Sequence, residues 1–461
     1  MALFSYLLIL LFGLAAWVSY RALPKASAHI ASLVACSGAL IGVGLVSLWH
    51  YATLLVIGHL SVLGVIVGDG LLSLLLSIYI YARRPAHMFE VLKGDMLAVW
   101  KSDDGAPQRG RMVILGLMFL AGILIVWWMW IMPRTQWDIW ITWEQHARFV
   151  TRDEGRQWRE LFVAARAGDG WFRHTDYPFL WPLAISRAWI YAGGESVWSA
   201  WGLIMLVVVT TTYAVMAVAK EYAAHTQSTI VAGLLLLTQP IYFYWATTRY
   251  GEGPLSAYML LAAVFLLLAH FAKDASRRAL FIALFSLAAG CGAWTKNEGI
   301  MFLVPLALAA MMSRLSKKEL ILAACSISPF LIALLVHKTY VAPPGDLTLS
   351  VLVQNIPQLF MPQRYFHIGQ YLLKHGAISM LGIVSILLIY QSAASFSRKY
   401  WILYLVLVLQ FGGYMLTYLL TPHALQWHLP TSFERVWMQL WPIVSLTIAL
   451  SFDGQGKRTT E

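Results

Sequence analysis

Apolar stretches of about twenty residues, each long enough to cross a hydrocarbon core of about 30 Å, recur along the chain between short polar breaks. Their spacing predicts about 13 helices, over 2–20, 30–49, 54–82, 112–132, 197–219, 227–246, 254–272, 279–294, 298–313, 319–337, 376–391, 400–420 and 436–452. The break between the second and third, around His50 to His59, is the least marked. One polar segment stands out by its length, the loop 133–196. The expected fold is an all-α polytopic membrane protein. The first three helices and the basic loop that follows (1–111) form an N-terminal addition to a larger unit over 112–461.

Composition agrees with the pattern. Apolar residues make up 59% of the chain and charged residues 12%, with a mean hydropathy of +0.67, values that exclude a water-soluble globular protein of this length. The 21 Trp, 21 Tyr and 21 Phe suit belts at two membrane surfaces, as well as contact with sugars or isoprenoids. Cys36, Cys291 and Cys325 lie in apolar runs as small hydrophobes, with neither a disulfide nor a zinc site indicated. The net charge of +11 is spread over short loops instead of one patch. Nucleic acid is therefore not an expected partner, whereas anionic membrane lipid is.

Basic residues also orient the helices, because Lys- and Arg-rich loops resist translocation. If the helices alternate, Arg21, Lys25, Arg83, Arg84, Lys93, Lys101, Arg109, Arg111, Lys220, Lys273, Arg277, Arg278, Arg314, Lys317, Lys318, Arg398, Lys399, Lys457 and Arg458 share one side, the cytoplasmic one. The N-terminus is then outside. Ala26-Ser27-Ala28 resembles a signal-peptidase site, but no basic segment precedes the first apolar run, and cleavage would strand Arg83 and Arg84 outside. The first helix is read as retained. The outward loops are 133–196, Thr247 to Pro254, Thr295 to Gly299, 338–375 and 422–435.

These outward loops hold the residues that can do chemistry. Trp140, Trp143, Ala147 and Val150 recur at helical spacing, with Asp138, Thr142 and Gln145 on another face, which predicts a helix lying in the interface. An Arg-rich run, Glu154 to Ala167, predicts a second short helix, broken by Gly168-Asp169-Gly170. His174-Thr175-Asp176-Tyr177-Pro178 follows, and Pro178 suits a helix start with Thr175 or Asp176 as its cap. Capping alone does not account for the recurrence of acid beside base or tyrosine in Arg249-Tyr250-Gly251-Glu252-Gly253-Pro254 and Thr295-Lys296-Asn297-Glu298-Gly299. Charges at a membrane boundary are costly unless they pair or bind something. Simple charge balance for Lys296, Arg249 and Arg435 is offered by Glu298, Glu252 and Glu434. Asp69, between Gly68 and Gly70 inside the third apolar run, reads as a buried carboxylate bonded to a neighbouring helix.

Trp137-Asp138 in the first large outer loop, Asp176-Tyr177-Pro178 before the next helix, a Gly253-Pro254 helix start and a Thr295-Lys296 turn, in this order, resemble the membrane glycosyltransferases of the GT-C fold. Within that fold the likeness is to the protein O-mannosyltransferases and lipid A aminoarabinose transferases, in a bacterial branch. The motifs cover about residues 110 to 315, and His428-Leu429-Pro430-Thr431-Ser432 before Arg435 adds a further likeness. The resemblance implies transfer of a sugar from a polyprenyl-phosphate donor to a glycan, lipid or protein acceptor, at the periplasmic face of a bacterial inner membrane. It makes Asp138 the catalytic base, with Asp176 as a second catalytic acid. Lys296, Arg249 and Arg435 become the donor-phosphate cations, and Tyr177, His174, Glu252, Glu298 and His146 become substrate contacts. Where aminoarabinose transferases carry Glu-Lys-Pro this chain has Asp176-Tyr177-Pro178, so Lys296 stands in for the missing lysine. His146 occupies a position where related bacterial chains tend to have lysine. No cofactor is called for: metal-independent chemistry is favoured, with a divalent metal left open.

Two other classes remain as alternatives. A secondary transporter or flippase of a polar or lipid-linked solute would place charges near the bilayer midplane on broken helices and show internal repeats. An O-antigen polymerase or ligase would share the donor type and centre on a large loop late in the chain.

Overall fold

The computed structural model describes residues 4–100, 108–131, 139–151, 174–222, 226–342, 348–376 and 398–451. Within them the chain is helical, with no strand. In order come α1 (Phe4–Arg21), α2 (Ala28–Ile57), α3 (Val62–Arg83), α4 (Met88–Ala98), α5 (Gln108–Ile131), a π turn (Ile139–Trp143) leading into α6 (Glu144–Thr151), α7 (Leu180–Ala192) and α8 (Val197–Tyr222). Then follow α9 (Thr226–Leu237), α10 (Pro240–Ala246), α11 (Glu252–Phe271), α12 (Ala275–Thr295), α13 (Asn297–Met312) and α14 (Lys317–Val336). The short α15 (Leu349–Gln354), α16 (Pro362–Gly376), α17 (Trp401–Leu420) and α18 (Leu425–Ser451) complete the set. Eight of the described helices are long and apolar enough to cross a membrane, nine if α9 and α10 form one bent span. The chain is thus a multi-pass helical membrane protein. The predicted helix over 376–391 falls almost wholly outside the described residues.

The bundle is built around α11. A helix that is apolar on every side is stable only when surrounded, and α11 is buried from Glu252 to Ala269, packed by α8, α10, α12, α13, α17 and α18. The second interior helix is α2, which touches α1, α4, α7, α8, α12 and α14, so the N-terminal helices are woven into the same bundle. By contrast, α3, α5 and α14 present exposed rows such as Leu71, Leu74 and Leu75, Leu120 and Ile123, and Ile332 and Leu335. These are faces suited to lipid.

Several expected boundaries move for local reasons. The helix α2 continues to Ile57 and ends on Gly58, whose φ of 88° supplies the left-handed cap; Ser61 Oγ then accepts from Gly64 N at 2.9 Å to open α3. The turn is therefore Gly58 to Ser61, later than the break expected near residues 50–53. The predicted 227–246 helix is two pieces bent by 64°, because Pro240 begins α10 with Gln239 as its cap. The last helix starts at Leu425, a full three turns before the expected 436, and carries Pro430 and Pro442 inside it. Pro178 opens no helix: α7 begins at Leu180 after Phe179, with no side-chain cap.

Polar contacts sort to the two ends of the helices. At one end Arg21 donates to Asp95 at 2.7 Å, Arg278 to Glu319 at 2.5 Å, and Ser27 to Glu221 at 2.5 Å. At the other lie the partners of Arg249, Lys296 and Asp176. Each of these pairs joins residues that the charge rule puts on the same side.

The α12–α13 turn depends on one close approach. A Cβ at Gly299 would sit 2.0 Å from the Gly292 carbonyl oxygen, whereas a Cβ at Gly292 would meet Tyr258 at an ordinary 3.6 Å. Gly299→Ala should lower the thermal midpoint of the purified protein sharply and Gly292→Ala should leave it nearly unchanged; equal midpoints would contradict this packing.

Candidate functional site

The informative cluster begins at the start of α11. Glu252 is completely buried, in the first turn, where a carboxylate is favoured by the helix dipole. Lys296, the single residue between α12 and α13, reaches it: its Nζ lies 2.8 Å from Glu252 Oε1 and 2.8 Å from Glu298 Oε1. Burial works against the ammonium, but Glu252 and Glu298 outweigh it and raise the Lys296 pKa above the ordinary lysine value. The Tyr177 ring lies 5.3 Å from Nζ as a cation–π wall. Burial raises the Tyr177 phenol pKa, with Lys296 opposing. Arg435, from α18, approaches the same Glu252 oxygen at 3.9 Å and stacks over Trp245 and Tyr250 at 5.9 and 5.8 Å.

Asp176 enters from the segment before α7. Its carboxylate accepts from Asn297 Nδ2 at 2.5 Å and lies 3.8 Å from Lys338 Nζ. Lys338 also donates to the Asp176 carbonyl and, at 2.7 Å, to Asn297 Oδ1. Asp176 is thus an interhelical ligand of α13 and the end of α14, not the expected helix cap. His174 stacks on Tyr177 at 4.7 Å in a left-handed conformation, φ 57°. Behind Tyr177, His337 Nε2 lies 3.0 Å from its carbonyl oxygen.

The 139–151 segment is mostly buried against the rest of the protein. Thr142, Trp143, Glu144, His146, Ala147 and Val150 are all buried, and Trp140 is 45% exposed, so the expected stripe does not separate the faces. The π turn over Ile139–Trp143 shifts Trp140 out of register with the α-helix that follows. Trp143 stacks on Tyr177 at 5.6 Å and covers Gly251, where a Cβ would collide with the ring. Glu144 holds Arg249 at 2.8 Å and Arg148 at 2.9 Å. The partner of Arg249 is therefore Glu144, not the Glu252 three residues away. His146 stacks on Phe179 at 6.0 Å; burial first, and the charge of His174 second, lower its pKa to about 3. It is a neutral imidazole at physiological pH.

Nine of the predicted residues therefore gather at one end of the bundle: Asp176, Tyr177, His174, His146, Arg249, Glu252, Lys296, Glu298 and Arg435. Asp138, the predicted base, lies outside the described residues, as do Trp137 and the Glu154–Ala167 run. The described chain resumes at Ile139, and by Trp143 it lies on Tyr177. Sequence reasoning missed Glu144, Asn297 and Lys338. Asn297 and Lys338 were visible as polar residues in outward turns, but nothing local links 297 to 338; Glu144 was hidden inside an apparent amphipathic stripe. Among the described residues no group of three His, Cys, Asp or Glu side chains is placed to hold a metal ion.

An apolar cavity of about 840 Å3 lies between α5 and α8, lined from Leu115 to Trp130 on one wall and by Met205, Val208 and Met216 on the other. Leu115 to Trp130 spans about 22 Å of helix, most of a hydrocarbon core. A separate aromatic series runs from α5 to Tyr250, over which Arg435 stacks: Trp128 lies 5.9 Å from Tyr244, Tyr244 4.9 Å from Trp245, and Trp245 5.2 Å from Tyr250.

Two outcomes follow from this geometry. Removing the buried cation in Lys296→Met leaves two carboxylates facing each other, which should cost about 3–5 kcal/mol; the double variant Lys296→Met/Glu252→Gln should recover part of it, and additive losses would contradict the pairing. His146 has a folded pKa below its unfolded value of about 6.5, so the unfolded chain takes up the proton first and stability falls as pH drops from about 6.5 toward 3. His146→Leu should flatten that part of the midpoint-against-pH curve relative to the parent protein. The chain matches no known family model, and neither a curated protein nor a solved structure is similar to it at a significant level.

Proposed function

We propose that this chain is a GT-C-type membrane glycosyltransferase with about 13 membrane helices, by the length rule for spans. It moves a sugar from a polyprenyl-phosphate donor to an acceptor at the periplasmic face of a bacterial inner membrane. The observation that carries the reading is convergence. Turn residues from segments distant in sequence meet in one carboxylate and cation cluster at one end of the bundle, and a lipid-sized apolar cavity lies between α5 and α8 of the same bundle.

In this scheme the isoprenoid chain lies between α5 and α8, and its phosphate is directed along the aromatic series to Arg435. The acceptor hydroxyl attacks the anomeric carbon and gives its proton to the Asp138 carboxylate. The bond from that carbon to the phosphate oxygen breaks, and the electron pair leaves with the phosphate. A direct displacement of this kind inverts the centre. The leaving phosphate is already ionised, so it needs cations more than an acid. Arg435 and Lys338 are the more accessible cations of the cluster, 18% and 30% exposed at the side chain against 4% for Lys296. Lys296 is then the residue that fixes Glu252 and Glu298.

One observation favours a transporter instead. The 64° break before Pro240 is the kind of discontinuous helix that transporters use. The charged groups at helix ends favour the enzyme.

The deciding assay supplies a labelled polyprenyl-phosphate sugar to the purified protein in liposomes and looks for labelled product, with comparison of surface glycans from cells with and without the gene. Asp138→Asn should abolish transfer while the protein stays in the membrane at normal level, because it removes the base and keeps the shape. Full turnover in that variant would reject the assignment. Arg435→Gln should raise the apparent KM for the carrier lipid at least tenfold, about 1.4 kcal/mol; an unchanged value would discard its phosphate role.

A further inference from the structure

A second polar centre lies apart from the ion cluster, where α1, α2, α3 and α7 meet. Asp69, His50 and Arg187 are all buried. Asp69 Oδ1 lies 3.2 Å from His50 Nε2, while Oδ2 accepts from Arg187 Nε at 2.7 Å and from the Tyr191 hydroxyl at 2.9 Å. Arg187 Nη1 donates to the Ser5 carbonyl at 2.5 Å. Asp69 is therefore the interhelical carboxylate expected from the sequence, and it explains why an acid sits in α3.

Two atoms are left over. His50 Nδ1 and Arg187 Nη2 are buried and have no hydrogen-bond partner among the described residues. Both residues line one small cavity, about 10 Å3, with Ser47, Ile9, Val43 and Leu203 among its walls. That is close to the room one water needs.

The chemistry of the two atoms narrows the occupant. With Nε2–H committed to the Asp69 carboxylate, neutral His50 presents Nδ1 as an acceptor. Arg187 Nη2 is only a donor. A halide could satisfy the guanidinium but would face the Nδ1 lone pair. An empty cavity leaves both atoms unsatisfied, at about 1–3 kcal/mol each. A molecule that donates once and accepts once meets both needs.

We infer that this cavity is a binding site for one water molecule, which donates to His50 Nδ1 and accepts from Arg187 Nη2. The water completes a polar knot that ties α1, α2 and α3 to α7, the helix directly after Asp176 and Tyr177. The inference does not depend on the transferase reading.

The test is a density map of the full-length protein in lipid nanodiscs at a resolution that shows ordered water, with a second data set from crystals grown in bromide. One peak within hydrogen-bond distance of both His50 Nδ1 and Arg187 Nη2, with no anomalous bromide signal, is the expected result. An empty cavity, a collapsed one in which Arg187 Nη2 bonds to protein, or a bromide peak would each overturn it. A stability measurement gives an independent sign. Val46 also lines the cavity, and Val46→Ile should lower the thermal midpoint by displacing the water, whereas a dry cavity would be filled and the midpoint would rise.

Discussion

One end of this bundle hangs on one buried cation. Lys296 occupies the turn between two membrane helices and is shared by Glu252 and Glu298. Remove its charge and two carboxylates remain in a space with almost no water. The turn exists only because Gly299 lets α13 pass against the Gly292 carbonyl. From that fixed point the rest follows: Tyr177 lies against the ammonium, Asp176 is bound by the adjacent Asn297, and Lys338 closes the set from the π turn (His337–Val341) that follows α14. A buried ion pair is a poor way to gain stability, since well-packed apolar residues of similar volume often do as well or better. In a chain that otherwise fills its interior with Leu, Ala and Val, net stability alone is a weak account of these charges.

The sequence was a good guide wherever a physical signal is local. The interior helices were legible from apolar runs, because lipid and protein interior make the same demand on side chains. The break at Pro240 was equally local, yet the apolar run hid it, since composition does not register a bend. The α2–α3 turn was misplaced because Gly58 and Ser61 are weak markers beside the polar His50 and Thr53, which the helix accommodates by pairing His50 with Asp69 and Thr53 with the Trp49 carbonyl. The start of α18 was missed because Thr431, Glu434 and Arg435 lower the mean hydropathy of a helix that continues through them. In the site, residue types at helix ends pointed correctly to the end of the bundle where charges meet. Partners did not follow: Arg249 chose Glu144 over the nearer Glu252, and Asp176 chose Asn297 over its own helix. Such choices are made between helices far apart in sequence.

The helix α7 connects the two polar centres. Asp176 and Tyr177 precede its first turn, and Arg187 and Tyr191 lie in its last two. Each end is thus held by hydrogen bonds to other elements, at one end α13 and the turn after α14, at the other α1 and α3. A short helix pinned at both ends cannot slide without breaking several buried bonds at once, and buried polar groups left without partners are costly. This gives the segment before α7 a rigid base, which positions Tyr177 over Lys296 without a helix cap.

The charge count constrains what the cluster can bind. Lys296, Lys338 and Arg435 face Glu252, Glu298 and Asp176, so among the described residues these three cations are matched by three carboxylates. A phosphate must therefore replace an existing partner. Replacing Glu252 or Glu298 at Lys296 would break 2.8 Å contacts in a closed space and leave a carboxylate buried. At Arg435 the separation from Glu252 is 3.9 Å, Glu252 also has Lys296 at 2.8 Å, and the guanidinium lies against Trp245 and Tyr250. In the proposed scheme an anionic head group on a long apolar chain would meet its cation there. The buried pair would remain as the frame.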